Sequence, residues 1–126
     1  MDDQQFHREQ LQQFQRVAST LKHWAAEDGN ETLGPLAEAF DELAKQPQAL
    51  HDEAPDLVYR LFTTAPAFAQ GFPRDLLWYL GGQCLHFMPD EEIERWSALD
   101  EDRRAAAARG LNFDWHGAAA SAGTVQ

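Results

Sequence analysis

The sequence predicts an all-α fold: a compact bundle of about five helices, led by a long amphipathic N-terminal helix and closed by a short extended C-terminal tail. Three observations carry this prediction. Apolar residues recur with the 3.6-residue period of a helix from the start of the chain. Proline stands just ahead of most later apolar runs, where a first helical position tolerates its missing N–H and fixed φ. Period-two alternation, the mark of a half-buried strand, occurs only at residues 111–115.

The first helix should span residues 3–27. Phe6, Leu11, Phe14, Val17, Ala18, Leu21, Trp24 and Ala25 fall within an arc of roughly 140°, while Arg8, Glu9, Arg16, Lys22 and Glu27 fall outside it. His7 and Gln10 also lie on the apolar arc, which suits a frayed end or a subunit contact better than a functional role. Asp28-Gly29-Asn30 should stop this helix. A second helix follows Gly34-Pro35, carries Leu36, Phe40 and Leu43, and stops before Pro47. A short turn at residues 48–53 then leads to a third, central helix from Pro55 to Thr64, with Leu57, Val58, Leu61 and Phe62. Residues 65–71 read as a connection with room for one helical turn.

A fourth helix begins at Pro73 and is apolar nearly all round through Leu76, Leu77, Trp78, Tyr79 and Leu80, so it should be buried. A fifth begins at Pro89, places Asp90, Glu91 and Glu92 against its N-terminal dipole, and buries Ile93, Trp96 and Leu99. Asp100 is positioned to cap a further stretch, residues 101–109, with Gly110 as its stop. Residues 1–116 then form a single helical domain, and 117–126 a disordered tail.

The composition limits the function. A chain of 126 residues is one domain, and 44% apolar residues with four Trp and eight Phe supply a real core. No run of apolar residues is long enough to span a membrane, and the opening residues are too polar and acidic for a signal peptide. With a single Cys, which has no internal disulfide partner, the expected setting is the cytoplasm. A net charge of −11 disfavours phosphate backbones and anionic lipid surfaces, so neither nucleic acid nor membrane is an expected partner. Residues 28–56 hold eight acids against one base, Lys45, and would be the docking face for a basic protein.

The stretch WYLGGQCLHFMPDEEIERW, residues 78–96, is the strongest candidate site. Cys84 and His86 are two residues apart and point to different sides of a helix, and Pro89 interrupts the His86–Asp90 pair. A metal is therefore not expected, and nothing calls for a cofactor. Catalysis by Cys84 is disfavoured because Asp90, Glu91 and Glu92 would raise the thiol pKa. Gly81-Gly82 admits three readings: the end of a helix, a close crossing by another helix, or the approach of a ligand.

Two functional expectations follow. The leading one is a non-catalytic protein–protein interaction module with an adaptor, regulator or immunity-like role. It would be homodimeric, with Glu38, Asp41, Glu42, Phe113 and Trp115 on its interaction surfaces. Phe113 and Trp115 dock either on their own domain, on a neighbouring subunit as an exchanged arm, or on another protein. The alternative is a small ligand-binding protein or enzyme, with a pocket at Trp78, Tyr79, Gly81, Gly82, Cys84 and His86. A mimic of nucleic acid is a minor third reading, supported by net charge alone.

Overall fold

The structure, a computed structural model, describes residues 1–28 and 32–124. Among these the fold is all-α, with no strand. The α-helices are α1 (Asp3–Asp28), α2 (Leu33–Ala44), α3 (Leu50–Thr64), α4 (Ala67–Gly71), α5 (Arg74–Leu80), α6 (Asp90–Ala108) and α7 (Trp115–Thr124). Two 3-10 segments, Pro47–Ala49 and Gly82–Phe87, join α2 to α3 and α5 to α6. No helix among the described residues is long and apolar enough to cross a membrane.

A reciprocal cap opens α1. The Asp2 side chain accepts from the Gln5 amide at 2.8 Å, and the Gln5 side chain accepts from the Asp2 amide at 2.9 Å. The stripe read from the sequence then buries Phe6, Phe14, Ala18 and Leu21. Trp24 departs from expectation: it lies on that stripe but is 46% exposed, at the edge of an open cleft where its ring meets that of Phe68 on α4 edge-on, with centroids 4.9 Å apart. The proposed stop at Gly29-Asn30 lies outside the described residues.

The core forms where α2 packs on α1 and on α3. The rings of Phe14 and Phe40 stack at 5.3 Å, and Leu33, Leu36, Ala37, Leu43 and Ala44 fill the rest of the buried face of α2. The third helix is central, as expected, but it starts earlier. Pro47 opens the 3-10 turn that runs into α3 at Leu50, so Pro55 lies inside the helix. The polar residues 51–53 resemble a turn in sequence; two of them, Asp52 and Glu53, are the acids of the first helical turn, where the dipole favours them. Pro55 lacks the N–H that would bond the His51 carbonyl one turn back.

Later elements differ in two ways. The fifth predicted helix and the stretch after Asp100 are one continuous α6. Asp100 does not cap; it pairs with Arg103 at 2.9 Å and Arg104 at 3.0 Å, three and four residues on. Gly110, at φ +70°, ends that helix and its 109–110 turn. Residues 111–114 are irregular, and Trp115 opens α7, whose Ala-rich sequence favours a helix. The tail folds onto its own domain: the Phe113 amide donates to the Met1 carbonyl at 3.1 Å, and Trp115 is buried against Phe6 and Trp96.

Candidate functional site

The Gly81-Gly82 joint is a packing feature. Gly81 ends α5 at φ +67°, and Gly82 follows at φ +53°, both in a region that disfavours side chains. A Cβ at Gly82 would lie 3.3 Å from Cβ of Pro55, so the bare backbone also lets the 3-10 segment press on α3. Two of the three sequence readings thus hold together. Cys84, two residues on, is fully buried, and burial pushes its thiol up to about 12. The cause is desolvation rather than the carboxylates of α6. His86 is exposed, so the 3-10 segment turns the two side chains apart.

Trp78 and Tyr79 belong to a different place, a small cavity of about 270 Å³ between α1, α5 and α6. The Tyr79 hydroxyl lies 2.6 Å from Nδ1 of His7, whose Nε2 is 3.5 Å from Asp3. His51 donates to the Tyr79 carbonyl at 3.1 Å. A proton relay ending on a phenolate would need a lowered phenol pKa; burial of Tyr79 raises it. Arg103 pairs with Asp3 and lies 4.0 Å over the Phe6 ring, so the cluster ties the start of α1 to α6.

A polar node missed in the sequence lies beside it. Gln10 is 1% exposed, and its side chain donates to Asp75 at 3.1 Å. Gln13 donates to the same carboxylate oxygen at 3.2 Å, as does the Trp115 indole at 3.2 Å. Asp75 therefore ties α1, α5 and α7 together without a cationic partner among the described residues. On α6, Glu92 accepts from Arg74 Nε at 2.9 Å and Nη2 at 2.5 Å, and from the Trp96 indole at 3.1 Å. The Arg74 guanidinium holds the Glu92 carboxyl below its ordinary value. Glu92 does more than face the helix dipole; it clasps α5 to α6.

A cleft of about 590 Å³ opens over the Asp75 node, bordered by Glu9, Arg16, Arg74 and His116, and two more lie elsewhere on the surface. One, of about 400 Å³, runs between α1 and the α4–α5 segment. Val17, Trp24, Ala67, Phe68, Phe72 and Pro73 supply its apolar walls, and Arg16 is the charged residue on its lining. The other, of about 500 Å³, lies between α2 and α3. Glu42 lines it from α2, Asp52, Glu53, Asp56 and Arg60 line it from α3, and Ala39, Leu43 and Leu57 are its apolar residues. Of the acids expected to form an interaction face, Glu42 lines this cleft, while Glu38 is exposed outside it. Asp41 lies 3.5 Å from both Lys22 and Lys45. Phe113 is half-buried and Trp115 is covered by the domain itself, while Leu111 is a large apolar side chain of the tail that is exposed.

Fold and surfaces together define a small all-α protein whose helices frame an acidic cleft and an apolar one. No group of three or more His, Cys, Asp or Glu among the described residues is placed to hold a metal ion. The chain belongs to the PA2817-like family, whose model matches residues 2–123. No curated protein and no solved structure matches it.

Proposed function

We propose that this protein is a non-catalytic interaction module that holds a basic segment of a partner protein in the cleft between α2 and α3. One observation carries the reading: four carboxylates and one base, Arg60, line the cleft beside Ala39, Leu43 and Leu57, and of the four only Glu42 is also paired outside it, with Lys45 at 3.8 Å, among the described residues. Lys and Arg side chains suit such a cleft, because their aliphatic stems cover apolar surface while the charged ends reach the acids. The charge excess is local as well as global. Asp52, Glu53 and Asp56 come from one helix and Glu42 from its neighbour, so the fold gathers acids that the sequence separates. Such complementarity acts mainly on association rate and on choice of partner, and salt screens it. The cytoplasmic setting belongs to the same reading.

The test compares proteins that co-purify with the wild-type chain and with a Glu42→Gln, Asp52→Asn, Glu53→Gln, Asp56→Asn variant, at low and high salt. The proposal expects a basic partner retained by the wild type, released by salt and lost with the variant. An identical set of co-purifying proteins in both would refute it.

A further inference from the structure

We infer that the apolar cleft between α1 and the α4–α5 segment is a binding site for an amphiphilic carboxylate, a molecule with an apolar body and one anionic end. Three observations converge. The cleft measures about 400 Å³, within the usual range of roughly 300–1,000 Å³ for small-ligand sites. Its walls include Trp24, an aromatic residue left 46% exposed although it lies on the apolar stripe of α1. In a protein of net charge −11, the lining carries a cation, Arg16, and no acid. Arg16, which is exposed and also borders the neighbouring cleft of Glu9 and Asp75, makes no ion pair or hydrogen bond among the described residues, so its guanidinium is available to a ligand.

Helical spacing explains how these parts meet. Arg16, Thr20 and Trp24 follow one another at intervals of four on α1 and share a face. Phe68 and Phe72 close the opposite wall from α4 and the residue after it. The apolar body of such a ligand would lie against Trp24, Phe68 and Phe72, with its carboxylate toward Arg16. A guanidinium suits that end because it meets a carboxylate with two parallel hydrogen bonds. A cationic amphiphile would place like charge against Arg16, and a neutral one would leave it unpaired.

The experiment titrates the full chain with decanoate, 1-decanol and decyltrimethylammonium below their aggregation thresholds, following Trp fluorescence and calorimetry. A Trp24→Phe variant assigns the optical signal. The expected result is saturable one-to-one binding of decanoate, weakened about tenfold by Arg16→Gln, with 1-decanol bound about tenfold more weakly and insensitive to that change. Thr20→Trp, at an exposed position on the lining, should block decanoate while the circular dichroism stays unchanged. Equal affinity for decanoate and 1-decanol, or an unaltered Arg16→Gln variant, would overturn the anionic assignment. Binding that survives Thr20→Trp, or no saturable binding at all, would overturn the site itself. So would a concentration-dependent Trp24 signal tracking a dimer, because a second copy would then cover the cleft. None of these outcomes bears on the acidic cleft, whose partner is tested separately.

Discussion

Replacing Glu92 by Ala removes the carboxylate that accepts from Arg74 Nε and Nη2 and from the Trp96 indole. Trp96 is 2% exposed, so its N–H would lose its acceptor with little access to water, costing about 1–3 kcal/mol. The Arg74 side chain is 37% exposed and also donates to the Phe87 carbonyl, so solvent screening reduces the ion pair to about 0.5–1 kcal/mol. Together these give a loss of about 1.5–4 kcal/mol, or a fall in Tm of roughly 5–15 °C for a domain of this size. Urea denaturation followed by circular dichroism measures it. Glu92→Gln keeps an acceptor and loses the charge, and should cost about 1 kcal/mol. Its pH dependence tests the cause. The folded-state pKa of Glu92 lies below its ordinary 4.5, so the stabilisation from its charge is present above pH 4.5 and is lost as pH falls through the folded value. The gap between wild type and Glu92→Gln should therefore narrow below pH 4.5. A Glu92→Ala variant within about 0.5 kcal/mol of wild type, or a gap constant from pH 7 to 3, would refute the clasp.

Other consequences are equally accessible. Gly82→Ala should lose about 1–3 kcal/mol, because φ +53° and the Pro55 ring both oppose a Cβ. Gly71→Ala, at the end of α4 with nothing within 4 Å and no positive φ, should be neutral or gain up to about 1 kcal/mol; chemical denaturation of the pair separates backbone strain from helix propensity. Cys84 should resist iodoacetamide at pH 8 in the native protein and react once unfolded, since its thiol is buried and its pKa lies near 12; mass spectrometry reads the adduct. Asp75→Ala should cost about 2–4 kcal/mol and shift the Trp115 indole resonance in a nitrogen–proton correlation spectrum, because that N–H loses its acceptor.

Periodicity made α1 legible, since its buried face repeats many times along 26 residues. The same pattern misjudged Trp24, because a stripe shows which side is apolar and not how much of it another element covers. Pro55 was read as a helix start by a rule that describes the more frequent case. The preceding Pro47 filled that place, and Pro55 fits inside α3 against the Gly82 backbone. The role of Gln10 depends on Asp75, a residue 65 positions away, which no local pattern shows. The acids of the α2–α3 cleft fall within residues 28–56, whose excess of acids is visible in the sequence, whereas the apolar cleft was illegible because Arg16 and Phe68 share a lining only after α1 and α4 have packed.

The most direct test of the interaction reading is zero-length carbodiimide cross-linking of the chain in its native cell extract, followed by peptide mapping. This chemistry joins a carboxylate to a lysine in contact with it. The expected result is a partner protein whose lysines are linked to Glu42, Asp52, Glu53 or Asp56, with the links suppressed by high salt. Links confined to carboxylates outside the α2–α3 cleft, or no link to any second protein, would contradict it.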